Sequence, residues 1–235
     1  MTFLQFAIGV LNDIVDAPAD VGRQPPKAIP SGAISPGTAR VLTWVAAGVG
    51  LVLAAASGPP VLLLALVVLG IGAAYDLVAK GTPWSWLPFA VGIPILPVYG
   101  WLGATGTLPG AFAILVPMAV LAGAGLAVAN ARSDLDADLG SGTRSVATTL
   151  GAERSWWVGA GLMAAATAVG VAFVGRIDWT APTVAVVLVG TVIVAVGVAL
   201  GRARAAGSRR RSWEAQAVGA AIAATGWVAG MIPGP

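Results

Sequence analysis

The chain has 235 residues, of which 57% are hydrophobic and only 10% are charged. Soluble domains carry roughly a quarter of their residues as charged side chains, so this composition indicates an integral membrane protein. The absence of both cysteine and histidine excludes disulfides, thiolate nucleophiles and histidine acid–base chemistry. The formal net charge is +3. On so apolar a chain, a basic excess is typical of membrane topology, and we expect no nucleic acid partner.

Segments without charged residues predict the helices. Residues 2–17 predict a further helix in which only residues 2–12 precede the first charge, and this is too short to cross a bilayer alone, since a span needs about 20 residues. The longer segments are 41–75, 81–131, 155–175, 179–201 and 215–235. The first of these is interrupted by a Ser-Gly-Pro-Pro turn at 57–60 and the second by a glycine-containing turn at 103–110, which gives seven full spans. We therefore predict an all-α, polytopic transmembrane bundle of about eight helices, forming one domain over residues 1–235.

The basic residues predict the orientation of these helices. If the predicted loops alternate across the membrane, twelve of the 13 lysines and arginines fall on one side and only Arg176 falls on the other. Cytoplasmic loops are enriched in lysine and arginine. We therefore expect a multi-pass protein of the cell membrane whose basic loops are cytoplasmic.

Six of the ten acidic residues lie in two short clusters, at 12–20 and 130–138. Each cluster has an Asn-x-x-x-Asp-x-x-x-Asp pattern, and the two patterns are 118 residues apart. Side chains four residues apart lie above one another on a helix, so each pattern predicts a column of oxygen ligands. In the first cluster, Pro18 is expected to kink the helix before Asp20 or to place Asp20 on a turn. The patterned residues are Asn12, Asp16 and Asp20, and Asn130, Asp134 and Asp138.

Oxygen ligands without histidine or cysteine favour a hard cation such as Mg²⁺, which commonly engages substrate phosphates. Cations lie close to both clusters in sequence: Arg23 and Lys27 follow the first, and Arg132 and Arg144 bracket the second. Basic side chains add charge-assisted hydrogen bonds to phosphate. The pattern therefore predicts two acidic columns that bind a diphosphate through Mg²⁺.

These motifs resemble those of the UbiA superfamily of intramembrane prenyltransferases. Asn12-Asp13-x-x-Asp16-x-x-x-Asp20 is similar to the first motif of that family, NDxxDxxxD, and Asp134-x-x-x-Asp138 is similar to its second, DxxxD. Residues 25–35 and 142–151 resemble the segments that follow these motifs. Tyr75 and Lys80 resemble the YxxxK element of the family, with one additional residue between them.

The resemblance implies a bundle of nine helices with a cytoplasmic N-terminus, so the first helix of the usual nine is missing from this sequence. It also implies transfer of an isoprenyl group from a polyprenyl diphosphate to a small-molecule or lipid acceptor, in contact with membrane lipid. Under this hypothesis Mg²⁺ is the cofactor, and Asp13 or Asp136 assists proton removal from the acceptor. The metal ligands are Asn12, Asp16, Asp20, Asn130, Asp134 and Asp138, and the substrate-binding residues are Arg23, Lys27, Tyr75, Lys80, Arg132 and Arg144.

Other interpretations stay open at this point. A membrane carrier that binds a cation or a lipid phosphate, without making or breaking bonds, would also use a central acidic site. An inactive fragment or an accessory membrane protein would carry the same motifs without activity. Asp76 is either a polar group near the acceptor or a solvated helix end paired with Lys80.

Overall fold

The computed structural model describes residues 1–22, 25–176, 179–203 and 205–231. Within these residues all of the secondary structure is helical, and eight long α-helices and one short α-helix follow one another in sequence. The predicted all-α bundle of about eight long helices is confirmed. The helices are α1 (Thr2–Asp16), α2 (Pro36–Ala56), α3 (Pro59–Ala74), α4 (Leu87–Thr105), α5 (Phe112–Ser133), the short α6 (Leu135–Ser141), α7 (Val146–Ala172), α8 (Ala181–Leu200) and α9 (Ala206–Ala229).

Six of these helices are long and apolar enough to cross a membrane in the described part of the chain: α2, α3 with the helical turn that continues it, α4, α5, α7 and α8. The turns at 57–60 and 103–110 separate helices as predicted. The seventh predicted span differs, because α9 starts at Ala206 rather than at residue 215 and its first turns contain Arg209, Arg210 and Arg211. Helix α1 has 15 residues, as short as the sequence indicated.

The chain divides into two compact units. The first unit comprises residues 1–80 and 98–108, and the second comprises residues 81–97 and 109–235. The prediction of a single domain over 1–235 stays a prediction. Each acidic cluster belongs to a different unit, so the two are described separately below.

In the first unit, two glycines allow α1 to lie close to α2 and α3. Leu4 of α1 is fully buried, and its backbone nitrogen would lie only 3.3 Å from a Cβ atom placed on Gly50 of α2. A Cβ atom on Gly72 of α3 would lie 2.6 Å from Cγ1 of Ile8. Small residues permit such close helix contacts in membrane proteins. This packing fixes the position of α1 and therefore of the acidic residues at its end.

In the second unit, glycines likewise bring helices together. A Cβ atom on Gly219 of α9 would lie 2.7 Å from the backbone nitrogen of Val194 in α8, and one on Gly226 would lie 2.7 Å from Cγ2 of Val187. Helices α5, α7, α8 and α9 surround an apolar cavity of about 290 Å³. Two threonines line it, and each hydroxyl donates to a carbonyl of its own helix: Thr167 to Met163 at 3.0 Å and Thr191 to Val187 at 2.8 Å.

Candidate active site

The first acidic cluster lies where α1 ends. The helix stops at Asp16, and the backbone N–H of Asp20 donates to the carbonyl of Asp16 at 3.0 Å in the turn that follows. The column of Asn12, Asp16 and Asp20 is therefore interrupted, and the expectation that Pro18 places Asp20 on a turn is confirmed. The physical reason is Pro18, which has no N–H to donate to the carbonyl of Ile14 and so favours a helix end.

Two lysines neutralise the carboxylates of this cluster. Lys27 donates to Asp13 at 2.8 Å and lies 3.2 Å from Asp20. Lys80 donates to both carboxylate oxygens of Asp16. The hydrogen bond to Asp13, with a smaller contribution from Asp20, raises the pKa of Lys27 above its ordinary value despite partial burial. Lys27 is thus fully charged at neutral pH and lies beside two of the acids.

A π-helical turn explains the additional residue between Tyr75 and Lys80. Residues Tyr75–Ala79 form this turn, and the N–H of Lys80 donates to the carbonyl of Tyr75 at 2.8 Å, five residues back rather than four. A π-turn accommodates one extra residue per turn, and such turns are frequent at functional sites. As a result the Lys80 ammonium lies 6.0 Å from the centre of the Tyr75 ring, within the range of a cation–π contact.

The same turn buries Asp76, which is only 4% exposed. Its Oδ1 accepts a hydrogen bond of 2.7 Å from Nδ2 of Asn12. Among the described residues, its Oδ2 is buried without a hydrogen-bond partner. The interpretation of Asp76 as a solvated helix end is therefore wrong, because this carboxylate faces inward onto α1.

The second acidic cluster is not a continuous column either. Asp134 has φ −98° and ψ 3°, so it separates α5 from α6. Asn130 consequently belongs to α5 and Asp138 to α6, although the N–H of Asp138 still donates to the carbonyl of Asp134 at 2.8 Å. Gly142 ends α6 with a φ of 71°, which glycine adopts without the steric penalty of a side chain.

A capping box starts the next helix. The Ser145 side chain accepts from the N–H of Thr148 at 3.3 Å, and the Thr148 hydroxyl accepts from the N–H of Ser145 at 2.7 Å. Reciprocal bonds of this kind satisfy two of the free donors at a helix start. The motif-like segment 142–151 is therefore the connection that turns the chain from α6 into α7.

Arg132 is buried, and its guanidinium faces α7. It donates to the carbonyl of Ala152 at 3.1 Å and to the Ser155 hydroxyl at 3.2 Å. A non-helical residue, Gly151, with a φ of 78°, interrupts α7 just before these acceptors. Carbonyls near such an interruption need a partner, so Arg132 stabilises the kink. Its predicted role in substrate binding stays a prediction.

Arg209 of α9 connects α9 to the second cluster. It is buried, and it donates through Nε to the carbonyl of Arg132 at 3.0 Å and through a terminal nitrogen to Asp136 at 2.6 Å. The carbonyls at the end of α5 carry the negative end of the helix dipole, which a cation stabilises. Sequence reasoning assigned Arg209 only to membrane orientation. The signal available in the sequence was the spacing of Arg209 from two other polar residues on the same helix face, Ser212 one turn later and Gln216 two turns later, both of which are also buried.

The remaining predicted residues divide as follows. Arg144 is exposed between α6 and α7, and Arg23 lies outside the described residues. Within the described chain, no group of three acidic side chains is close enough to hold a metal ion by itself. Carboxylate and amide oxygens nevertheless suit Mg²⁺. The side-chain oxygens in the two acidic clusters are therefore of the type that this cation binds.

Helix number, span length and polar clusters at helix ends together define a multi-pass membrane protein. The model of the UbiA prenyltransferase family matches residues 1–220. The chain belongs to the UbiA prenyltransferase family, which confirms the resemblance of its two aspartate motifs. No curated protein is similar enough in sequence to match.

Solved structures of relatives have the same fold. Digeranylgeranylglyceryl phosphate synthase is similar with a TM-score of 0.73 and 18% identity, covering 98% of this chain and 82% of that one. An apo UbiA homologue from Aeropyrum pernix K1 is similar with a TM-score of 0.71 and 22% identity, covering 94% and 84% of the two chains. At these identities the similarity establishes the fold.

Proposed function

We propose that the protein is an integral membrane prenyltransferase that moves an isoprenyl group from a polyprenyl diphosphate to a small-molecule or lipid acceptor. Family membership supports the reaction class. The observation that carries the proposal is the cluster at the end of α1, where Asp13, Asp16 and Asp20 face Lys27 and Lys80. Such a set of carboxylates and lysines suits a Mg²⁺-diphosphate headgroup, which presents charges of both signs.

Binding of the donor would exchange the partners of these residues. Lys27 and Lys80 leave the carboxylates and donate to phosphate oxygens, which are strong acceptors for charged donors. The carboxylates of Asp16 and Asp20, with the amide oxygen of Asn12, become available as metal ligands. We propose that the second cluster, through Asp134 and Asp138, also takes part in binding the donor.

The allylic C–O bond then breaks, and its electron pair leaves with the diphosphate. Mg²⁺ would neutralise the charge that develops on this leaving group. The acceptor attacks the allylic carbon and loses a proton, for which Asp13 or Asp136 is the proposed base. Before the donor binds, Lys27 pairs with Asp13 and Arg209 pairs with Asp136. The loops that carry both clusters are proposed to be cytoplasmic, because the basic residues concentrate there.

Purified protein in detergent should be incubated with labelled geranylgeranyl diphosphate, Mg²⁺ and a panel of quinone precursors, glycerol phosphates and porphyrin-type acceptors. We expect label to enter one class of acceptor only when Mg²⁺ is present. Asp16→Asn and Asp134→Asn should each lose most of this transfer. Glu153→Gln, which removes an exposed carboxylate from α7, serves as the control and should retain it.

Two results would contradict the proposal. Donor binding that is indifferent to EDTA would exclude the magnesium clamp. Donor binding that is lost in Asp16→Asn but leads to no transfer to any acceptor would favour a carrier instead.

A further inference from the structure

Asp76 and Asn12 form a buried pair between two elements that are 64 residues apart in sequence. Asn12 belongs to the acidic motif, whereas Asp76 lies in the π-turn after α3. Both residues belong to the first unit, so the pair is a feature of that unit alone. None of the steps proposed above uses Asp76.

The chemistry of the pair determines the orientation of the Asn12 amide. An ionised carboxylate only accepts hydrogen bonds, so the NH₂ group of Asn12 must face Asp76. The amide is planar, and its oxygen therefore points away from Asp76. Only that oxygen can bind a hard cation, because an amide NH₂ has no lone pair to offer.

We propose that Asp76 is a positioning residue that selects the oxygen of Asn12 as a metal ligand. This inference rests on the proposed function, since it assumes that Asn12 binds Mg²⁺. With Asp76 absent, the amide is free to rotate and to present its NH₂ group to the cation, which weakens the site. Partners that orient metal ligands in this way typically change metal affinity by about 10- to 100-fold when removed.

Burial and cost support a functional role for Asp76. A buried carboxylate with one unsatisfied oxygen is costly, and a purely structural contact would be served as well by a neutral residue. Of the nearby charges, Lys80 attracts the Asp76 carboxylate and Asp16 repels it. A cation bound by Asn12 and Asp16 would further offset the cost of burying this carboxylate.

The second cluster offers no equivalent pair in sequence. The spacing of 118 residues that relates Asn12 to Asn130 relates Asp76 to Val194, which is apolar. The positioning contact from Asp76 is therefore specific to the first cluster. We expect Asn12 and Asn130 to contribute unequally to metal binding.

Binding of Mn²⁺ to the full chain in detergent tests this inference without a measurement of prenyl transfer. The decrease of the EPR signal of free Mn²⁺ reports how much of the ion is bound. Mn²⁺ prefers the same oxygen ligands as Mg²⁺. We expect Asp76→Ala to weaken Mn²⁺ binding by about 10- to 100-fold. Asp76→Asn should weaken it less, because the amide oxygen introduced at position 76 still accepts from Asn12. Glu153→Gln should bind as the wild type does.

The exchange variant N12D/D76N separates positioning from a structural role. It restores the pair in reverse, with the new amide donating to a carboxylate at position 12, and it keeps the total charge. We expect Mn²⁺ affinity to recover to at least the level of Asp76→Asn. Thermal unfolding of each variant establishes that the comparison is made on folded protein.

Each outcome decides a different point. Wild-type affinity in Asp76→Ala would overturn the positioning role, and so would a folded exchange variant that binds as weakly as Asp76→Ala. Wild-type protein that binds no Mn²⁺ would overturn the proposed metal clamp itself, and the inference with it.

Discussion

At the scale of single residues, Lys80 is the side chain that joins the π-turn to the acidic motif. It donates to both oxygens of Asp16, and its ammonium lies over the Tyr75 ring. A charge held by two such partners has a defined position before any substrate arrives. Lys80 is therefore already placed where a diphosphate bound next to Asp16 would need a cation.

Lys80→Met should weaken binding of inorganic pyrophosphate in the presence of Mg²⁺ by about 10- to 100-fold, since a hydrogen bond to a charged group contributes about 1.5–3 kcal/mol. Isothermal titration calorimetry measures this directly. Arg210→Gln is the matched control, because Arg210 is an exposed cation paired with Glu214 at 3.0 Å. Equal affinity in Lys80→Met and wild type would remove Lys80 from the donor site.

The raised pKa of Lys27 predicts that the contribution of this residue to the stability of the folded protein is lost at alkaline pH. Its pKa is raised in the folded protein, first by the hydrogen bond to Asp13. A raised lysine pKa contributes stability that is complete below the unfolded-state pKa and is lost as pH rises through the folded-state value. The difference in thermal midpoint between wild type and Lys27→Met should therefore stay constant up to about pH 10 and then shrink. A difference that grows with pH would contradict this assignment.

Residue types and their spacing were enough to predict which acids cluster at helix ends, but not the partners of these acids. Asp16 and Asp20 were found because acids are scarce and recur in a pattern. The burial of Asp76 was not predicted, since it depends on a π-turn whose one signal, the additional residue between Tyr75 and Lys80, shows only by comparison with the family motif. The buried contacts of Arg132 and Arg209 were not predicted for a related reason: an arginine that donates to a buried carbonyl looks the same in sequence as one that faces the cytoplasm.

At the scale of elements, the position of α1 depends on the absence of side chains at Gly50 and Gly72. The end of α1 carries the motif, so a shift of this helix moves Asn12, Asp13 and Asp16 together. The close packing at Gly50 and Gly72 therefore determines where the acidic motif lies, although neither glycine takes part in the chemistry.

Gly72→Ala should destabilise the protein by about 1–3 kcal/mol, because a Cβ atom would lie 2.6 Å from the branched side chain of Ile8 and overpacking costs that much. Gly70→Ala in the same helix has no heavy atom within 4 Å of the new carbon, and it should be neutral or slightly stabilising. Thermal unfolding in detergent compares the two. Equal midpoints would show that α1 does not pack against α3 as described.

Helix ends differed in how well the sequence predicted them. The turns at 57–60 and 103–110 were predicted, since glycine and proline interrupt apolar segments there. The break at Asp134 was not, because neither glycine nor proline marks it and the aspartates on either side keep a helical spacing. The start of α9 was also missed, since its first turns are rich in arginine and only Arg209 of the three is buried.

At the scale of the whole molecule, the distribution of basic residues predicts which loops face the cytoplasm. The chain has no cysteine, so a maleimide can react only with a cysteine introduced by substitution. Its reaction reports on which side of the membrane that position lies. Ser31→Cys and Ser141→Cys, both exposed, should react with an impermeant maleimide only after the membrane is opened. Ser57→Cys and Thr107→Cys, also exposed, should react in intact cells. The reverse pattern would place the acidic clusters outside.

The class of the whole molecule was predictable because membrane composition, helix count and two acidic motifs are properties of long stretches of sequence. Membership of the UbiA prenyltransferase family confirms that prediction. The acceptor depends on individual side chains around the donor, and those are not marked by composition or periodicity.

The apolar cavity of the second unit has a consequence for small apolar ligands. Its threonine hydroxyls are already satisfied by their own helices, so the space offers water few partners. The cavity is half-open rather than enclosed, so an apolar atom can enter it without a rearrangement of the helices. Xenon gas should therefore settle among α5, α7, α8 and α9.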